Sequence, residues 1–450
     1  MAETADIVIL GAGPAGLTAA DISLAQGRTP LCLETFTHVG GNHRSRTIGP
    51  YTFDIGSIVF YADFPMFSRF PGVRDLCVPF PHTFERLAPS RRVRAYPLES
   101  REIFEGGPVE VLRNVTSLAL GRLNPRRAAS AEDFCVRALG RRLYQQLGLQ
   151  TYLDRFYGVS GANLELRFAE QRMQPIAEAT RFKAMLDRVG RAFAKRRGAA
   201  ADRHHHTDGL ARPRDGFETM YGAAQSILAD RGASFRFGVN LHAIEKRDQG
   251  FVVRTAGGDI ECRDVISTIP VADTLRLIGA PAEADLKSSD LLTLYVSFGG
   301  EPGFGAPILY NFNPAGAWKR LTMHSAVYGC ADGRHYFSIE IPAMQADPIR
   351  AEAEFAAFVA HVASANLFRG DLRLEGAEVT RAAYPTYTMG SGAARTRALA
   401  NIENFGLTAV GRQGRFDYLP TTWHVMSQVE DQMKASDRRK QTLAAGLPLA

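Results

Sequence analysis

The chain has 450 residues, 45% hydrophobic and 22% charged, with a formal charge of +6 and a pI near 9.1. That length predicts two domains, and that composition is ordinary for a soluble globular protein. No apolar run approaches the about 18 residues of a membrane span, and no basic tract is interleaved with aromatics on a nucleic-acid module. Neither a bilayer-spanning protein nor a nucleic-acid binder is expected. The N-terminus enters a strand almost at once, leaving no room for a signal peptide. Cys32, Cys77, Cys135, Cys262 and Cys330 are scattered, form no zinc spacing and suit a reducing compartment. The cytoplasm is the expected location, and no metal site is predicted.

In chain order, the apolar run Ile7 to Leu10 reads as a buried parallel strand. It meets Gly11-Ala12-Gly13-Pro14-Ala15-Gly16, then a helical stretch, Leu17 to Gln26, then a strand, Thr29 to Leu33, ending on Glu34. This is the dinucleotide fingerprint in full context: a tight turn, close approach of backbone to pyrophosphate, and close helix–strand packing. A pyrophosphate would sit on the helix N-terminus, where unpaired N–H groups and the macrodipole favour an anion. Glu34 stands where an acid should take the ribose hydroxyls.

The pattern continues with Gly40-Gly41-Asn42-His43-Arg44, separated from Glu34 by five residues, and a strand-like Tyr51–Asp54 followed by Ile55-Gly56-Ser57. The glycine pair lets backbone run along an extended cofactor, and Arg44 can meet a phosphate. This order resembles the amine oxidase and protoporphyrinogen oxidase superfamily of flavoproteins. The resemblance implies FAD rather than NAD, with Gly41, Asn42, Arg44, Gly56 and Ser57 lining the phosphates and the isoalloxazine ring. No second GxGxxG is present, so a dedicated NAD(P)H domain is not expected.

Further nucleotide-domain features appear far along the chain. They are Arg214–Phe217 before a helical pattern, Met220–Ala229, a strand over Ser234–Leu241, a hairpin at Gly257-Gly258, and the strand Asp264–Thr268. Val239 and Thr268 are counted among the cofactor contacts. The expected architecture is α/β. A Rossmann-like FAD-binding domain with a parallel sheet (1–65, 206–271, 386–450) is interleaved with an α+β substrate domain (66–205, 272–385). The first part of the substrate domain should be largely helical, the second an antiparallel sheet. Residues 131–157 read as mainly helical. Residues 181–197 carry seven Lys or Arg and an apolar face, which suits a packed surface helix or peripheral contact with an anionic membrane. His204, His205 and His206 sit in a small, polar loop over 198–210 and are not joined by the acids or cysteines a metal site needs.

Several blocks resemble the UDP-galactopyranose mutase-like branch of that superfamily: Ala131–Phe134 with Gly140–Tyr144, Phe156–Val159, Gln171-Arg172, Ala383–Pro385 and Gly411–Tyr418. The resemblance implies that Arg172, Arg412 and Tyr418 hold a nucleotide-sugar pyrophosphate. Three positions depart from it. Lys287–Leu292 lacks the expected clamp arginine, Pro420 replaces an acid, and Ser57 replaces a histidine over the flavin.

Gly411 and its neighbours should approach the ribityl chain, with Arg412 and Arg415 as cationic partners. Thr421 or Thr422 should cap a helix whose N-terminus faces the flavin. The site wall is expected from Tyr157, Arg172, Tyr384, Tyr387, Tyr418 and His424, with His424 as a candidate base. The substrate should be a small molecule, anionic or sugar-like. Three readings stand: an FAD-dependent dehydrogenase, a redox-neutral mutase, and a flavin-binding scaffold. Oligomeric state is not legible.

Overall fold

A computed structural model describes residues 3–56, 59–123, 127–172 and 209–444. The 181–197 segment, the three histidines and Ser57 lie outside these residues. Two seven-stranded sheets organise the chain. In the first, Ser234–Arg236, Pro30–Leu33, Glu3–Leu10 and Gly258–Ser267 run parallel in that order. Thr408–Ala409 pairs in parallel with the end of Gly258–Ser267, and Gly250–Thr255 and Leu241–Arg247 add an antiparallel meander. The fold is thus α/β with a Rossmann-like parallel sheet.

Glycine decides the geometry at the heart of this sheet. A Cβ at Gly16 would stand 2.0 Å from the Gly11 carbonyl oxygen, so only glycine lets the Pro14–Ala25 helix start this close to the strand before it. That helix is buried on most of its circumference, as expected for one enclosed on all sides. It packs on the Phe217–Asp230 helix and the C-terminal helix, Thr422–Ala444. The strand expected over Ser234–Leu241 breaks in two, Ser234–Arg236 and Leu241–Arg247. The chain turns at Gly238 (φ +66°), and the N–H groups of Gly238 and Val239 bond the Phe36 and Glu34 carbonyls instead.

The second sheet runs Phe368–Thr386, Lys287–Pro302, His335–Ala343, Arg320–Met323, Ile308–Asn311, Phe84–Leu87, Val93–Ala95. It is antiparallel except where Ile308–Asn311 meets Phe84–Leu87. Two of its strands therefore come from the part of the chain read as mainly helical. The Ala351–Ser364 helix packs on it, burying Phe358 among Phe298, Phe337 and Trp318. The helical stretch at 131–157 is three helices, Ala131–Leu139, Arg141–Gln146 and Leu149–Tyr157. Gly140 (φ +75°) and Gly148 (φ +76°) interrupt it. No helix among the described residues is long and apolar enough to cross a membrane.

A buried ion pair fixes the strand that leads into Gly56. Arg212 Nε donates to Asp54 Oδ1 at 2.7 Å, and its other nitrogens donate to the Thr52, Pro213 and Arg214 carbonyls. Both side chains are almost fully buried, so removing one leaves the other charge uncompensated. Arg212→Leu should therefore cost about 3–5 kcal/mol, read as a drop in the urea unfolding midpoint at unchanged slope.

Candidate functional site

The nucleotide cradle is built where two glycine segments meet. Gly13 precedes the first helix with Pro14 at its first position, and a Cβ at Gly41 would lie 3.3 Å from Gly13 Cα. The Gly40 N–H donates to the Ala12 carbonyl at 2.9 Å. Glu34 is buried; one carboxylate oxygen accepts the Ala12 N–H at 2.7 Å and the other the Phe36 N–H at 3.0 Å. The Thr35 hydroxyl also donates to Glu34 Oε1 at 3.2 Å; a carboxylate has about four acceptor positions, so one remains for a ribose hydroxyl. Gly411 (φ +81°) closes the cradle from the C-terminal side, and its Cβ position is 2.7 Å from Ala15. The Thr268 hydroxyl bonds the Leu10 carbonyl at 2.8 Å, beside Gly11. Small residues converging on one helix N-terminus fit a dinucleotide.

Other expected contacts also have partners within the protein. Arg44 donates to Glu378 through Nε at 3.0 Å and through Nη2, reaches Thr380 and Asn42, and lies over the Phe36 ring. It thereby ties the glycine segment to the second sheet. The Val239 N–H is taken by the Glu34 carbonyl. Arg415 bonds the Glu403 carboxylate and the Ala409 carbonyl. The Thr421 hydroxyl bonds His424 Nδ1 at 2.7 Å and accepts the His424 N–H. Thr421 therefore both caps the final helix and holds the His424 ring.

Beyond the cradle lies a buried cluster of charge. Lys319 is 2% exposed and Glu340 1%; Lys319 Nζ is 3.2 Å from Glu340 Oε2, and Arg320 bonds Oε1 at 2.5 Å. Lys319 also lies over the rings of Phe156 and Tyr384 at 4.5 and 4.6 Å. Burial lowers the Lys319 amine to about 8 against the pull of Glu340. Burial alone would raise Glu340, but Arg320 and Lys319 hold it below the usual carboxylate range. A Cβ at Gly56 would lie 3.4 Å from Glu340 Oε1 and 3.6 Å from Arg320 Nη2. The cluster therefore adjoins the loop expected to line the ring of the cofactor.

Arg172 and Arg412 flank this cluster. Arg172 donates to the Tyr152 hydroxyl at 3.0 Å and acts electrostatically on Tyr96 and Lys319. Tyr96 stacks on Tyr310 at 4.3 Å, and Tyr152 on Phe312 at 4.5 Å. Arg412 donates to the Leu419 carbonyl and acts on Tyr384 together with Arg320. Tyr418 packs edge-on to Phe168 and Tyr387 and lies within electrostatic reach of Arg172. Tyr157 and Tyr387 are each 1% exposed and serve as packed walls behind Tyr418 and Tyr384.

Lys319, Arg320, Glu340, Tyr96, Tyr152 and Tyr310 were not among the expected site residues. Arg320 lies two strands away from Lys287–Leu292 in the same sheet. A signal was present: Lys319-Arg320 between Trp318 and Leu321, and Glu340 inside Tyr336–Ile341, place charge inside apolar runs. Among the described residues no group of three or more His, Cys, Asp or Glu side chains is arranged for a metal.

Residues 9–72 match the NAD(P)-binding Rossmann-like domain family. No curated protein matches the chain. Among solved structures, a reduced UDP-galactopyranose mutase has TM-score 0.75 at 18% identity, over 96% of this chain and 93% of that one. A provisionally assigned protoporphyrinogen oxidase from an Exiguobacterium species has TM-score 0.66 at 14% identity, over 98% and 100%. A putrescine oxidase redesigned for cofactor binding has TM-score 0.58 at 13% identity, over 98% and 100%. The likeness is one of fold.

Two histidines, His324 buried and His43 half-buried, make the fold acid-sensitive. Burial, then Arg412, lowers His43 to about 3; burial lowers His324, beside Asp54, to about 4. Both sit below the ordinary 6.5, so the unfolded chain binds more protons than the folded one between those values. Stability should fall as pH drops from 6.5 towards 4. His324→Gln should flatten that slope by up to about 1.4 kcal/mol per pH unit, measured by urea unfolding across the window.

Proposed function

We propose that this chain, which has the fold of the FAD-dependent amine oxidase-like flavoproteins, binds FAD and acts as an oxidoreductase on a small anionic or sugar-like metabolite. The Gly11–Gly16 turn, Gly40-Gly41 and Gly411 would hold the pyrophosphate, and Glu34 the ribose. When bound, FAD supplies a two-electron acceptor.

The observation that carries the substrate reading is the charge beside Gly56. Arg172, Lys319, Arg320 and Arg412 are four cations, and Glu340 is the carboxylate bonded to both Lys319 and Arg320. A partly desolvated surplus of positive charge is relieved by an anionic ligand, and arginine forks suit phosphate or carboxylate. Arg172 and Arg320 would hold the anionic end, Tyr96 and Tyr310 would wall it, and Lys319, with its lowered proton affinity, would carry a proton near neutral pH.

A second reading is a redox-neutral nucleotide-sugar isomerase. Arg320 favours it, because it returns the arginine whose absence from Lys287–Leu292 argued against a diphosphate clamp. Dehydrogenation stays preferred because Pro420 and Ser57 still depart from the mutase pattern.

The purified protein should be yellow and release intact FAD on denaturation; a colourless protein that cannot be reconstituted would contradict the cofactor. Glu34→Ala should weaken FAD binding by about 1.5–3 kcal/mol, with little change in turnover of the remaining holoenzyme. Chemically reduced enzyme should not convert UDP-galactofuranose. Turnover above ~1 per second would transfer the assignment to the isomerase.

A further inference from the structure

One helix turns its apolar side outward. In Pro108–Leu123, the inward residues are Asn114, Leu118 and Gly121. Asn114 Nδ2 donates to the Ile103 carbonyl at 3.1 Å, and a Cβ at Gly121 would meet the Val136 carbonyl at 2.5 Å. That face is therefore packed on the rest of the fold. Outside stand Val109, Leu112, Val115, Leu120 and Leu123, the last two 65% and 77% exposed, with Phe104 just before the helix. At about 100° per residue these five fall within an arc of about 140°, opposite Leu118. Six of the eleven large hydrophobic side chains exposed on the described surface lie in this one segment. Such concentration marks an interaction surface rather than scattered exposure.

Charge selects the occupant. Residues 108–142 contain seven arginines against three acids. Arg113, paired with Glu110, and Arg122 flank the stripe, and Arg127, Arg137 and Arg141, the last paired with Glu132, are exposed on the segments that follow. A second copy of this chain would bring the same arginines face to face. The helix is about 24 Å long and is too polar on its inner side to span a bilayer. An apolar stripe with a cationic rim instead suits a helix lying in the plane of a membrane interface. We propose that the 104–123 surface docks on anionic phospholipid, with Leu112, Leu120 and Leu123 entering the interface and the arginines meeting headgroups.

The holoenzyme should sediment with phosphatidylcholine vesicles containing phosphatidylglycerol, less with phosphatidylcholine alone, and less at high salt. The double variant Leu112→Glu with Leu120→Glu, and the milder Leu120→Ser, should keep their FAD content and melting temperature. The double variant should lose about tenfold or more in vesicle partition. Without vesicles, the thiol introduced by Leu120→Cys should react freely with a maleimide, located by peptide mass spectrometry. Three results would overturn the proposal: no sedimentation on anionic vesicles, partition unchanged in the double variant, or an introduced thiol that is shielded from the maleimide without lipid. A dimer in solution that the double variant dissociates would assign the surface to a second copy instead.

Discussion

Beside Gly56, Arg320 and the buried Lys319 share one carboxylate, Glu340, while Arg172 and Arg412 act on the same cluster. The proposed site depends on that imbalance of charge. Two unit charges near 4 Å interact by about 4 kcal/mol at the effective dielectric of a protein edge, so each unmatched cation is costly. Glu340 bonds both Lys319 and Arg320, and Lys319 spreads its charge over two aromatic faces. Arg172 has Tyr152 and Arg412 has a backbone carbonyl. Neutral partners satisfy hydrogen bonds without cancelling charge, and the anionic substrate we propose would supply the missing negative charge.

The two sheets meet for the same reason. Arg44 joins the glycine segment to Glu378 on the Phe368–Thr386 strand, and Arg212 with Asp54 fixes the strand that leads into Gly56. His324 Nε2 accepts the Asp54 N–H and bonds Ser338 on the neighbouring strand. These ties hold the cradle, which is backbone and glycine, against the charged wall, which is side chain. In the proposed function, backbone and glycine would hold the cofactor and charged side chains the substrate.

The cradle was legible in the sequence because it is local. Gly11 to Glu34 sit in one strand–turn–helix–strand unit, and the spacing of glycines follows from contacts within it. The charged wall was legible only in part: Arg172 and Arg412 stand in motif-like blocks, whereas Lys319, Arg320 and Glu340 are brought together by strand pairing in the second sheet. Register in the sheet decides it: Arg320 faces Glu340 as a direct cross-strand pair, a fact no window of sequence contains. Arg44 adds a partner that its motif does not contain: besides the phosphate contact expected of it, it pairs with Glu378 on a strand of the other sheet. Gly140 and Gly148 show a third case, where an apolar period continues across positions whose positive φ breaks the helix.

The claim that the wall is built for an anion is tested most directly by titrating inorganic pyrophosphate into the holoenzyme calorimetrically, with Arg320→Met in parallel. Saturable binding by the wild type, weakened at least about tenfold in the variant, is the outcome this account requires. Absence of binding to a holoenzyme whose FAD content is full, or equal binding by both proteins, would contradict it.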